Sequence, residues 1–283
     1  GSASMSEGEI ILYGTEDGQA EIQLRAVDGP VWLTQAQMAD LFDTTKQNIS
    51  LHLNNIVADG ELAPESVVKE SLIPAADGKA YRTKTYNLDA ILAVGYRVRS
   101  PRGVQFRRWA TTTLKEYLVK GFVMNDERLK DPAWDYFDEL LERIRDIRAS
   151  EARFYQKVRD ILALSEDYDS KSPTVNTFYA TVQNKMLYAV TGHTAGELIR
   201  ARANPDQPNM GLTTWKNADK GRPLRKSDVG TAKNYLGEAE IRELNLIVET
   251  FLNTAELRAT RRQTMRLAEW EGVLDTFLTS NEL

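Results

Sequence analysis

The chain has 283 residues, 42% hydrophobic and 27% charged, with a formal charge of −5, two histidines and no cysteine. That length suggests two domains of ordinary soluble composition, and no apolar run or signal-like segment points to a membrane. Without cysteine there can be no disulfide, thiolate nucleophile or cysteine-based metal site, and His52 and His193 fit no recognisable catalytic or HExxH spacing. A reducing cytoplasm is the expected location. Gly1–Ser4 before Met5 reads as a vector remnant, and residues 1–8 are expected to be disordered.

Glu9–Tyr13 and Ala20–Arg25 alternate as two short strands, with Glu16–Gly18 as their turn. Two helix starts then follow in quick succession. Thr34 with Gln37, and Thr44 with Gln47, both have capping-box spacing, so the first helix is only about seven residues long. Met38 and Leu41 are apolar on that helix. On the second, Ile49, Leu53 and Ile56 form a stripe for burial. The opposite face carries Thr45, Lys46, Gln47, Ser50 and Asn54, side chains suited to base edges and phosphates in a major groove. A plain αα-hairpin with a polar solvent face is the alternative. His52, on the same helix, is expected at the surface or facing phosphate.

Segments Ser66–Ile73 and Lys79–Asn87 read as a hairpin with its tip at Ala75–Gly78, where a winged helix-turn-helix keeps its wing. Lys79, Arg82 and Lys84 on one arm would meet backbone phosphates. Asp89–Tyr96 begins a helix, Ser100–Gly103 breaks it, and Val104–Gly121 forms a longer one. Phe106, Trp109, Leu114 and Leu118 are its expected buried side, leaving Arg107, Arg108 and Lys115 to solvent or phosphate. Between Lys79 and Lys120 ten bases face two acids, a local charge of +8 that leaves −13 for the rest. A polyanion responds to such a local field rather than to the total.

From Ala133 the positions Phe137, Leu140, Ile144, Ile147, Glu151, Phe154, Val158 and Ile161 step by fours and threes. That is a coiled-coil seam interrupted only by Glu151. It suggests a connecting helix that pairs with a second copy or packs on helices of the same chain. Ser165–Lys171 reads as a linker. Helices are expected at Thr174–Val190, Thr194–Ala203, Ser227–Leu236, Glu238–Ala259 and Met265–Thr279. Gly192 ends one helix, and Thr194 with Glu197 caps the next, which makes His193 a linker residue. The long loop Ala203–Pro223 opens a second basic cluster: Trp215, Lys216, Lys220, Arg222, Arg225 and Lys226.

In several ordered blocks the chain resembles the RhuM virulence family, a bacterial group described as DNA-binding and encoded near type I restriction–modification genes. The N-terminal blocks are Thr44–His52, Tyr86–Asp89, Val94–Val98, Gln105–Ala110, Leu114–Leu118, Lys120–Phe122 and Asn125–Lys130. The C-terminal ones are Ala180–Lys185, Pro208–Lys216, Arg225–Val229 and Ala232–Leu236. They imply a match from about residue 9 onward, with family members running past Leu283. The resemblance implies DNA binding and supplies no catalytic residue. It also raises a Fic-like transferase or another nucleotide- or DNA-modifying enzyme as an alternative. The chain, however, lacks the His-Pro-Phe and Gly-Asn-Gly-Arg strings of Fic chemistry, and it shows no nuclease-type carboxylate cluster. A protein-interaction module of a restriction system is the third possibility.

The expected architecture is α+β. A winged helix-turn-helix-like DNA-binding domain with a basic helical extension covers 9–125. A long coiled-coil-like connecting helix covers 126–165, and an all-α domain covers 166–283. The expected partners are double-stranded DNA, a second copy of the chain and a restriction–modification protein, with no membrane, metal or cofactor. The DNA-binding residues are Thr44, Thr45, Lys46, Gln47, Ser50, Asn54, Lys79, Arg82, Lys84, Arg102, Arg107 and Arg108.

Overall fold

The computed structural model describes residues 9–14, 21–25, 31–133, 136–261 and 265–283. The described residues are mostly helical, with short antiparallel strands near the N-terminus followed by helices. The chain divides into two compact units, Gly1–Ala133 and Trp134–Leu283.

In the first unit, β1 (Glu9–Gly14) pairs antiparallel with β2 (Glu21–Arg25); the expected turn at 16–18 lies outside the described residues. Next come β3 (Trp32–Thr34), α1 (Gln35–Phe42) and α2 (Lys46–Ala58). The Thr34–Gln37 capping box forms as expected: Gln37 N–H donates to Thr34 Oγ1 at 3.1 Å, and Thr34 N–H donates to Gln37 Oε1 at 2.8 Å. The second capping box does not form. Asp43 turns the chain through a left-handed conformation, which moves the start of α2 one residue on, so Thr45 is the cap. Thr45 Oγ1 accepts from Asn48 N–H at 3.1 Å, and Thr44 Oγ1 accepts from the Asn48 amide at 2.9 Å. Ile49, Leu53 and Ile56 are buried, and they meet Met38, Leu41 and Phe42 of α1 in this unit's core.

A single turn, α3 (Pro64–Val67), leads into β4 (Val68–Pro74) and β5 (Ala80–Asn87). The hairpin begins two residues later than the sequence suggests because Pro64 starts that turn, proline being pre-organised for a first helical position. β3 is a strand the sequence reading missed. It lies along the other edge of β5, giving the order β3-β5-β4. The Gln35 amide donates to the buried Tyr86 hydroxyl at 3.0 Å, fastening α1 to the central strand.

Helix α4 (Leu88–Arg97) buries Ala90, Ile91 and Val94, and α5 (Pro101–Lys120) follows at once. The Ser100–Gly103 break is the start of α5: Ser100 Oγ accepts from Gly103 N–H at 3.1 Å, with Pro101 in the first turn. Of the expected buried side of α5, only Phe106 is buried, against Phe42 and Tyr96. Trp109, Leu114 and Leu118 are 39%, 58% and 71% exposed. Trp109 still packs on Phe106 at 5.9 Å between ring centroids, and beyond it the apolar stripe of the helix is exposed. A short helix, α6 (Asp126–Lys130), comes next.

In the second unit the seam is not one helix. It is divided into α7 (Phe137–Ala149) and α8 (Glu151–Leu162), with Ser150 extended between them. Phe154, Val158 and Ile161 enter this unit's core, while Phe137, Ile144 and Ile147 stay exposed. The core is built around the long α12 (Glu238–Thr260), with α9 (Thr174–Thr191), α10 (Ala195–Arg202) and α13 (Glu269–Ser280). The expected 227–236 helix is a single turn, α11 (Lys226–Val229), followed by a 3-10 turn at Ala232–Tyr235. Gly192 caps α9 at φ 73°, and the Thr194–Glu197 capping box opens α10. The 165–171 segment is tied down: Ser165 Oγ accepts from buried Trp270 Nε1 at 2.9 Å.

Candidate nucleic-acid interface

The outward face of α2 follows from its inward one. With Ile49, Leu53 and Ile56 turned into the core, a 3.6-residue repeat leaves Lys46, Gln47 and Asn54 exposed and Ser50 part-exposed. Leu51 lies on the same face at 56% exposure. The face therefore offers two amides, a hydroxyl and one apolar contact, groups able to read base edges. Thr44 and Thr45 do not belong to it as free side chains, because both hydroxyls receive hydrogen bonds from Asn48.

Each flank of α2 carries cations. On one side, Lys84 of β5 and Asn54 of α2 line a common cavity of about 480 Å3 floored by Ile56, Val67 and Tyr86. Arg82 lies two residues back along the same strand, hence on the same sheet face, and Lys79 is at the hairpin tip; all three bases are exposed. The tip is rigidified by Asp77, which accepts from Lys79 N–H at 2.9 Å and from the Tyr81 hydroxyl. On the other side, Asn48, His52 and Asn55 of α2 face Arg97 and Arg99 across a shallow depression. Arg97 is held by Asp59 at 3.0 Å and Glu61 at 2.8 Å, whereas Arg99 is exposed and makes no ion pair among the described residues. Burial and the two guanidinium groups lower the His52 pKa below its ordinary 6.5, so the imidazole is neutral at pH 7.

The remaining expected anchors are used differently. Arg102 donates to Asp40 O at 2.9 Å, and Arg107 donates to Val98 O, so both tie the start of α5 to neighbouring backbone. Arg108 is exposed. The residues missed from sequence are Asn48, Asn55 and Arg99. Asn48, His52 and Asn55 have i, i+4, i+7 spacing, a polar stripe legible beside the buried one; Arg99 is one of the ten bases between Lys79 and Lys120, but its place beside α2 depends on the α4–α5 turn. In the second basic cluster Arg222 and Trp215 serve the scaffold, Arg222 making paired hydrogen bonds of 2.8 and 2.9 Å to buried Asp228 and Trp215 Nε1 donating to Arg222 O at 2.8 Å, while Lys216, Lys220, Arg225 and Lys226 are exposed. His193 sits in the α9–α10 link with Nδ1 3.9 Å from Glu197 Oε2.

Among the described residues there is no group of three or more potential metal ligands, and no helix is long and apolar enough to cross a membrane. The fold and the α2 surface thus define a two-unit, mainly helical protein with a cation-flanked amide face. Residues 66–283 match the Virulence protein RhuM family, and the chain belongs to that family. The matched span begins after α2, so block Thr44–His52 lies outside it and the helix pair stands on its own geometry. No curated relative matches the chain.

Proposed function

We propose that the first unit is a winged helix-turn-helix module that binds double-stranded DNA at selected sites. In this reading α2 enters the major groove and the β4–β5 hairpin is the wing. One observation carries the proposal: the outward amide face of α2 is bracketed by Lys84 on one flank and Arg99 on the other. A helix seated in a groove has a phosphate strand on each side, so bilateral cations position it while the amides read bases. Lys46, Lys79 and Arg82 extend the cationic rim. The biological setting in this reading is cytoplasmic, regulatory or restriction-associated.

Selection of bound sequences from random duplex DNA tests the proposal. An enriched motif is expected, and Gln47→Ala with Asn54→Ala should flatten the motif more than it weakens nonspecific binding. No retention of duplex at low salt overturns the reading. The proposal assigns binding rather than catalysis; turnover of labelled nucleotide or DNA with a divalent metal would reverse that assignment. A homodimer is retained on narrower ground. Phe137, Ile144 and Ile147 of the seam are exposed on α7, an apolar stripe that a second copy of the helix would cover. Sedimentation of the full chain and of Ile144→Lys tests it: a monomer at micromolar concentration refutes the dimer.

A further inference from the structure

The second unit contains a partly open cavity of about 310 Å3 between α8, α9, α12 and the 3-10 turn. That volume is at the lower end of the range of about 300–1,000 Å3 for small-molecule sites. Its floor is apolar, made by Phe154, Met186 and Leu244, and its wall carries Glu151, Asn184 and Lys233. The ammonium of Lys233 makes no hydrogen bond or ion pair among the described residues, although the side chain is part-buried. A lysine withdrawn from water without a partner is costly, and an anion in the cavity relieves that cost.

Its position is fixed by its surroundings. The Asn234 amide donates to Asp228 O at 3.0 Å, the Tyr235 hydroxyl donates to Val229 O at 2.6 Å, and Arg202 donates to Tyr235 O at 2.9 Å. Beside Lys233, Asn184 Oδ1 accepts from Ala195 N–H at 3.1 Å, which leaves the Asn184 amide nitrogen as a second donor on the wall.

We propose that this cavity binds a small monocarboxylic acid with an apolar body, its carboxylate held by Lys233 and the Asn184 amide. Glu151 at the wall and Asp146 nearby repel a second negative charge, which disfavours phosphate and dicarboxylates. Burial lowers the Lys233 pKa below the ordinary 10.5, opposed by Asp146 of α7 and Glu151 of α8; α9 and α12 contribute no titratable side chain to the lining. A bound carboxylate favours the charged amine, so binding weakens as pH rises through the free-lysine-site pKa, at values where an ordinary lysine is still charged.

Ligand-observed NMR on the full chain tests the site with hexanoate, phenylacetate, phenylethylamine and inorganic phosphate as probes. Both carboxylates are expected to bind saturably, and the amine and phosphate are not. Lys233→Gln should weaken carboxylate binding by about ten- to a hundredfold, the range for loss of a charge-assisted hydrogen bond. Asn184→Asp keeps the acceptor that Ala195 needs while removing the donor, so it should also abolish binding, and it decides the matter if Lys233→Gln fails to fold. No binding of either carboxylate, equal binding of the amine, or undiminished binding in the folded variants overturns the proposal.

Discussion

The ion pair between Arg202 and Glu240 offers a quantitative test of how the second unit is held. Arg202 Nη1 and Nη2 donate to the Glu240 carboxylate at 2.6 and 2.8 Å, and Gly237 N–H donates to Glu240 Oε1 at 2.9 Å. The pair thus ties the end of α10 to the first turn of α12, and through Tyr235 O to the turn bearing Lys233. These bonds push the Glu240 pKa from 4.5 down to about 2. Such a change is worth roughly 3 kcal/mol at about 1.4 kcal/mol per pH unit. The Arg202 and Glu240 side chains remain 33% and 27% exposed, so solvent screening reduces the expected contribution to about 1–2 kcal/mol. Because the folded pKa is depressed, this stability is fully present above pH 4.5 and is lost as pH falls toward 2. Urea unfolding by circular dichroism, fitted with one transition per unit, should show Glu240→Gln destabilising the second unit by about 1–2 kcal/mol at pH 7. The difference from wild type should shrink at pH 3. An equal deficit at both pH values would show that packing rather than charge is lost, and no deficit at pH 7 would refute the reasoning outright.

Three further outcomes test the first unit. Lys84→Ala and Arg99→Ala should each reduce the slope of log affinity for duplex DNA against log salt by about 0.9 from a starting value of roughly −4 to −5. Lys130→Ala, in a base already paired with Glu127, serves as the comparison, and an equal effect there would dissolve the interface. Thr45→Ala removes the α2 cap and should cost about 1 kcal/mol, read as faster amide exchange across 46–58; unchanged exchange would place the cap elsewhere. At Gly95 an added Cβ would lie 2.5 Å from Phe106 Cε1, a ring already edge-packed by Phe42 and Tyr96. Gly95→Ala should therefore destabilise the unit by about 1–3 kcal/mol, visible as a lower Tm, and an unaltered Tm would mean that the ring moves freely.

What could be read from the sequence was local. The capping boxes at Thr34 and Thr194 and the left-handed Gly192 depend on residues three or four apart, and all formed. The Ile49–Leu53–Ile56 stripe chose the buried face of α2 and therefore its open one. The reading went astray where an apolar period was taken to name a partner. Steps of three and four fix which side of a helix is apolar, but neither what covers it nor whether the helix is continuous. The single polar member of the seam, Glu151, sits beside the break at Ser150. Beyond Phe106, the same periodicity predicts burial for Trp109, Leu114 and Leu118, of which Trp109 is half-buried against Phe106 and the two leucines are exposed. The Lys233 cavity is illegible for another reason: it is assembled from residues distant in the chain, Glu151, Asn184, Lys233 and Leu244 on separate elements, a juxtaposition that local sequence pattern does not announce.

The pairing of charges says more about each basic surface than their number does. In the second unit several cations are matched, Arg145 with Glu249, Arg148 and Lys157 with Glu256, Lys185 with Asp275, Arg202 with Glu240 and Arg222 with Asp228, whereas Lys216, Lys220, Arg225 and Lys226 are exposed and make no ion pair among the described residues. A phosphate approaching a matched cation would have to displace a carboxylate already in place, so Arg222 is a poor anchor for a polyanion. Lys46, Lys79, Arg82, Lys84 and Arg99 in the first unit have no such competitor among the described residues. Lys233 is unmatched too, and it lines a partly open cavity with an apolar floor. Unmatched cations on an open rim suit a long, hydrated polyanion whose counterions are released on binding, whereas an unmatched cation above an apolar floor suits one small, desolvated carboxylate.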